Sequence, residues 1–344
     1  MKGGVTGWVP DVLPGYWQYT IPLGSDPAGE GDIVATLIRR GPEAGAEHAV
    51  LAVHGYTDYF FHTEVADHFA ARGFAFYALD LHKCGRSRRD GQTPHFITDL
   101  ANYDAELEHA LSTIAARARP GHPVKVLVYG HSAGGLIVSL WLDRLRRRNA
   151  AAHAGVGGLV LNSPFLDLHG PAILRHSAMT AVLAGLSRVR SKGVARSPVE
   201  GGYGTTLHRD YHGEFDYNLQ WKPVGGFPIT FGWLNAVRRG QARLHRGLDV
   251  GVPNLILRSD HSVQETTDPT SMHCGDAVLD VSQIARWAGC IGNRSTIVPV
   301  ADAKHDVFLS LPQPRQIAYR QLNLWLDGYL SAAGTDASAS STKG

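Results

Sequence analysis

An α/β domain with a mostly parallel central sheet, flanked by helices and carrying an inserted cap, is predicted by three observations. Short apolar strands alternate with amphipathic helices from residue 49 to residue 164. The strands AVLAVHG, FAFYALD, VKVLVYG and GLVLNSP are continuous apolar runs, as expected of a sheet covered on both faces. The alternation stops near Asp167 and resumes at VPNLILRS, about 85 residues later. That gap is far longer than a connection inside a compact domain.

The elements follow in order. Two strands, YWQYTIPL and IVATLIRR, are joined by the turn-rich GSDPAGEGD. The strand AVLAVHG leads to the helix EVADHFAARG and the strand FAFYALD. LANYDAELEHALSTIAARA is an amphipathic helix, with Leu107, Ala110, Leu111 and Ile114 on one stripe. VKVLVYG then meets the helix GGLIVSLWLDRLRRR, and GLVLNSP closes the first part. After the gap come VPNLILRS, the helix VSQIARWA, the strand STIVPV and a last helix, PRQIAYRQLNLWLDGYL. The core is therefore assigned to residues 1–167 and 252–330, and the inserted cap to residues 168–251. The cap holds two helical stretches, AILRHSAMTAVLAGLSRV and ITFGWLNAVRRGQARLHRG. The tail, residues 331–344, is small and polar and is expected to be disordered.

Composition excludes several classes of function. The 344 residues are 44% hydrophobic with a net charge of +2, so no nucleic acid or other polyanion is implied as a partner. No run of apolar residues is long enough for stable membrane insertion. The first residues, MKGGVTGWVPDVLPGYW, lack the apolar centre of a secretory leader. The 3 cysteines, Cys84, Cys274 and Cys290, show neither a metal spacing nor a disulfide framework. A cytoplasmic protein is expected. Its oligomeric state is not legible.

One stretch carries chemistry. Gly130-His131-Ser132-Ala133-Gly134 fits G-x-S-x-G, a weak signal in a chain with 39 glycines. Its context strengthens it, because the match lies where a strand turns into a helix. Such a turn presents the serine hydroxyl at the strand's C-terminal end, and the helix N-terminus favours developing negative charge. His131 fills the variable position and is expected to be a packed neighbour. Serine needs a base. His305 follows the last strand in VADAKHDVFLS, so its loop reaches the same sheet edge; Asp306 beside it is read as a bystander. The strand-to-loop junction at His54-Gly55 offers the backbone N–H of Tyr56, which with that of Ala133 would form an oxyanion hole. His54 is read as a loop brace.

These residues resemble the α/β-hydrolase superfamily, and within it the monoacylglycerol lipase and lysophospholipase-like branch that also contains serine aminopeptidase-like hydrolases. HGYTDYFFHTEVADHFAARGFAFYALDLHKCGRS resembles that branch's oxyanion loop, first helix and strand, ending in its D-x-x-G-H-G-x-S turn. In this turn Lys83 and Cys84 stand where glycine and histidine are usual. Cys84 is read as a small buried thiol with nothing resembling a base nearby. The resemblance implies an acid after the strand that follows the cap. Asp260 comes at once, but Asp276-Ala277-Val278 resembles the family's D-x-V pattern leading into a helix. Asp276 is preferred, Asp260 is the alternative, and Asp280 is read as the helix N-cap.

The expected protein is a serine hydrolase of carboxylic esters using Ser132, His305 and Asp276, with Tyr56 and Ala133 as oxyanion donors and no metal or organic cofactor. The expected partner is a small ester with an apolar acyl or aromatic group. The apolar cap residues Met179, Val182, Leu183, Leu186, Trp221, Phe227, Phe231 and Trp233 either line its pocket or form the cap's own core. Arg238, Arg239, Arg243 and Arg246 are read as a solvated helix face. A peptidase or amidase, an acyltransferase or thioesterase, and a non-catalytic ligand binder on the same fold are the alternatives. An aspartate-nucleophile enzyme is disfavoured because the residue at the turn is serine.

Overall fold

A computed structural model describes residues 7–41, 45–119, 121–170, 177–198, 201–266 and 268–341. The strands are β1 (Val9–Pro10), β2 (Tyr16–Ser25), β3 (Asp32–Arg40), β4 (His48–Val53), β5 (Phe74–Asp80), β6 (Lys125–His131), β7 (Val156–Asn162), β8 (Val194–Arg196), β9 (Ile229–Thr230), β10 (Asn254–Ser259) and β11 (Ser295–Val300). The helices are α1 (Thr63–Ala71), α2 (Asp104–Ala115), α3 (Ala133–Arg148), α4 (Ala150–His153), α5 (Ser177–Val189), α6 (Phe231–Leu244), α7 (Pro269–Met272), α8 (Val281–Trp287) and α9 (Pro312–Ser341).

Nine strands form one sheet in the order β1-β2-β3-β5-β4-β6-β7-β10-β11. The pairs from β5 through β4, β6, β7 and β10 to β11 are parallel, and β1, β2 and β3 join antiparallel. Period-2 alternation splits each central strand between two cores. Ala49, Leu51 and Val53 of β4 face the side covered by α2, α3 and α8, whereas Val50 and Ala52 face α1 and α9. The stripe Leu107, Ala110, Leu111 and Ile114 of α2 is buried as its spacing predicts. Trp141 of α3 is fully buried, and truncating it to alanine would cost roughly 3–5 kcal/mol.

Between β7 and β10 the chain leaves the sheet, forms α5 and α6, and pairs β8 with β9. Residues 172–176 of the first helical stretch read from the sequence lie outside the described residues.

β11 is an edge strand with exposed positions. One expectation is corrected. Arg238 is buried; its guanidinium reaches the Thr180 hydroxyl of α5 at 2.5 Å, so only part of that arginine row is solvated. α9 is assigned through Ser341, into the segment 331–344 expected to be disordered, of which residues 342–344 lie outside the described residues. No described helix is long and apolar enough to cross a membrane.

Candidate active site

Ser132 sits where β6 ends and α3 begins, at φ 51° and ψ −119°. This is sparsely populated backbone for a residue with a side chain, at a cost of about 1–3 kcal/mol. Hydrogen bonds on every side hold it there. The Ser132 N–H donates to the Asn162 carbonyl at 3.0 Å, and its carbonyl accepts the N–H groups of Gly135 and Phe165, both at 3.0 Å. Close approach explains the flanking glycines. A Cβ on Gly134 would lie 2.3 Å from the His54 carbonyl oxygen, and one on Gly55 would lie 3.0 Å from the Ser132 Cβ. Gly55 thus brings the β4 loop directly against the serine.

His305 lies in the loop after β11 and is 3% exposed. Its Nδ1 is 2.9 Å from an oxygen of Asp276, which is fully buried. The other Asp276 oxygen accepts the N–H groups of Val278 and Leu279, each at 2.8 Å. Three donors therefore fix the carboxylate, and Nδ1 carries the proton of the imidazole bonded to it. Asp260, the alternative, lies elsewhere: exposed, it bonds the His261 ring at 2.7 Å and the Asp302 N–H at 3.1 Å. Asp280 caps α8 through the Ser282 N–H at 3.0 Å.

Ser132, His305, Tyr56 and Ala133 line one cavity of about 620 Å³. No acceptor among the described residues bonds the backbone N–H of Tyr56 or Ala133. Phe165, Leu168, Met179, Leu183, Phe231 and Trp233 supply its apolar wall, with Phe227 and Ile229 nearby. Of the cap residues singled out in the sequence, Val182, Leu186 and Trp221 do not reach it. Val182 is exposed, and Trp221 packs edge-on against Tyr59.

His54 braces two loops. Its Nε2 accepts the Leu81 N–H at 3.1 Å, and its Nδ1–H donates to the Gly55 carbonyl at 2.8 Å. His131 packs 5.0 Å from the His305 ring and donates to the Asn162 carbonyl at 3.1 Å, while burial holds its pKa below the usual histidine range. Lys83 adopts φ 62°, the left-handed region a glycine would favour, and its ammonium is buried against Asp26 at 2.7 Å and Glu30 at 2.8 Å. That double ion pair accounts for a lysine here. Cys84 is buried as read, but it does have a basic neighbour: His95 Nδ1 lies 3.2 Å from its Sγ. Burial pushes the thiol up and the imidazole down, so the pair is neutral and holds no thiolate.

Two contributors escape sequence reasoning. Asn162 bonds both the serine turn and the histidine loop, and Tyr203 presents its ring edge to His305 at 5.7 Å while its hydroxyl accepts the Asp306 N–H at 3.0 Å. The position of Asn162 at the C-terminal end of β7 was the available signal.

The family model described as serine aminopeptidase, S33, matches residues 44–264, more than half of the chain. The chain belongs to this family. The chain is 31% identical to a monoacylglycerol lipase of Mycolicibacterium smegmatis over 185 residues, 53% of this chain and 59% of that enzyme. The match therefore spans less than two thirds of that relative's length. A soluble variant of the Saccharomyces cerevisiae monoglyceride lipase superposes with a TM-score of 0.62 at 16% identity, covering 93% of this chain and 99% of the other. The Paleococcus ferrophilus monoacylglycerol lipase gives a TM-score of 0.57 at 17% identity, over 91% and 99%. At these identities the two structures speak for the fold: an S33 α/β-hydrolase with a mostly parallel sheet flanked by helices.

Proposed function

We propose that this S33 family member is a serine hydrolase of neutral carboxylic esters with an apolar acyl group, of the monoacylglycerol lipase kind. The observation that carries the reading is the His305–Asp276 pair, whose histidine lines the same cavity as the strained Ser132. In this reading Ser132 Oγ attacks the acyl carbonyl and His305 takes its proton, then returns it to the departing alkoxide. Asp276 fixes the tautomer and stabilises the imidazolium. The Tyr56 and Ala133 N–H groups receive the negative charge on the former carbonyl oxygen. Water, deprotonated by His305, then releases the acid. Residues 168–251 act as the cap between the two core segments, 1–167 and 252–330.

Charge pairing favours a neutral ester over an aminoacyl or phosphorylated substrate. Among the described residues, the Asp and Glu on the wall are Asp58 and Glu265, paired with Lys222 at 2.6 Å and Arg196 at 3.3 Å. Those two cations are the Lys and Arg that the described residues place on the wall. A substrate ammonium or phosphate would have to displace an existing partner. The test is a nitrophenyl ester series of rising acyl length beside an aminoacyl nitroanilide. Ester turnover that climbs with chain length supports the reading; faster cleavage of the anilide overturns it.

A further inference from the structure

Four consecutive residues after the Gly55 turn each bond a different point on the cap strip 218–228. The Tyr56 hydroxyl donates to the Pro228 carbonyl at 2.7 Å, and the Thr57 hydroxyl accepts the Phe227 N–H at 2.9 Å. Asp58 pairs with Lys222 at 2.6 Å, and the Tyr59 hydroxyl accepts the Asn218 N–H at 2.7 Å. The loop that carries one oxyanion donor is thus set by the cap as well as by β4.

Asp58 is the charged member of this seam and is 7% exposed. One oxygen takes the Lys222 ammonium, and the other accepts the Gly55 N–H only at 3.4 Å. Burial alone would raise its pKa. The Lys222 ammonium, together with His131 and His54, overrides this and holds it at about 2, so Asp58 is an anion at neutral pH. The sign of that charge matters. Asp58 is two residues from Tyr56 and lines the same cavity. An uncompensated buried carboxylate there opposes the negative charge that develops on the substrate oxygen.

We propose that Lys222 is a positioning residue for the oxyanion hole: it cancels the Asp58 charge and holds the 56–59 loop, so that the Tyr56 N–H meets the developing oxyanion unopposed. This rests on Ser132 as nucleophile and on Tyr56 and Ala133 as oxyanion donors. It predicts an unusual pattern, in which removing the cation alone is worse than removing both charges.

The experiment compares wild type with Lys222→Met, Lys222→Arg, Asp58→Asn and the double variant Asp58→Asn/Lys222→Met. It reads kcat and KM on nitrophenyl butyrate, and inhibition by an alkyl trifluoromethyl ketone, whose tetrahedral adduct places an oxyanion in the hole. Lys222→Met should lower kcat by about 30-fold or more with KM within about threefold, and should weaken the ketone by a similar factor. Lys222→Arg should stay within about fivefold of wild type, and the double variant should recover to within about tenfold. A double variant as poor as Lys222→Met overturns the proposal. A change in KM alone overturns it too, since that makes Lys222 a substrate-binding cation. If Lys222→Met does not fold, the double variant decides alone: ketone affinity near wild type supports the proposal, and a loss of about 30-fold or more rejects it. Failure of the underlying reading is seen separately, as ester turnover that survives Ser132→Ala.

Discussion

Asn162 links Ser132 to the histidine loop: its main-chain carbonyl accepts the Ser132 N–H at 3.0 Å, and its fully buried side chain donates to Asp306 at 2.6 Å and accepts the Val307 N–H at 3.2 Å. The remaining amide hydrogen goes to the Tyr129 hydroxyl at 2.8 Å, so both side-chain donors are used. Asn162→Ala should leave buried partners unpaired and cost about 1–3 kcal/mol in urea unfolding. It should also lower kcat more than it raises KM, because the two loops lose their common anchor. Asn162→Asp, which places a carboxylate against Asp306, should be the less stable of the two.

Ser132→Ala should fold normally and lose about three or more orders of magnitude in kcat, since members of a triad act as a unit. A fluorophosphonate probe should label wild type and not this variant. Continued labelling at another serine would show that the nucleophile lies elsewhere.

The two aspartates separate cleanly in geometry, so their variants should separate in rate. Asp276→Asn removes the acceptor that holds the His305 Nδ1 proton and should cost several orders of magnitude in kcat. Asp260→Asn touches an exposed turn and should stay within about threefold of wild type. The reverse order would contradict the assignment.

The apolar wall predicts a slope. Each methylene that enters it is worth about 0.8 kcal/mol, so kcat/KM should rise by about threefold to fourfold per carbon until the cavity is filled. Phe231→Ala should move the chain length at which this rise stops. Trp233→Ala should act differently, because its ring packs 4.1 Å from Tyr56 and supports the loop proposed to carry an oxyanion donor. It should lower kcat even on acetate esters. Equal responses from the two variants would show that neither sets chain length.

Lys304 gives a prediction for pH. Its ammonium is 2% exposed and donates to the Thr206 carbonyl at 2.7 Å, and burial holds its pKa at about 8. The unfolded lysine, near 10.5, binds its proton more tightly than the folded one. Between those two values the unfolded state holds more protons, so raising the pH favours folding. The cost of the buried charge, on the order of 3 kcal/mol, is fully present below pH 8 and vanishes above pH 10.5. Lys304→Met should gain stability at pH 7, and its advantage over wild type should shrink across that window. A constant difference between the two melting curves would refute this.

Features tied to a local pattern were legible in the sequence. The serine turn, the β4 loop and the helical stripe of α2 each write their geometry into a few neighbouring residues. The contact of Asp276 with the histidine loop was legible through its D-x-V context, and the Asp280 cap through its position. What escaped depends on partners distant in the chain. Lys222 and Asp58 are 164 residues apart, and Asn162 and Asp306 are 144 apart, with nothing local to announce either pair. Cys84 and His95 are nearer, 11 residues apart, with left-handed backbone at Lys83 and His95 that no local pattern announces. β1, β8 and β9 hold two or three residues each, too few for a period to show.

The positive φ at Ser132 sets two selective pressures against each other at one residue. Glycine adopts that backbone freely, so Ser132→Gly should fold at least as stably as wild type while having no hydroxyl to react. A library sorted only for survival of heating would therefore drift toward glycine at 132 and discard the proposed nucleophile unnoticed. Any search for a hardier form of this protein has to score turnover alongside melting temperature at this position.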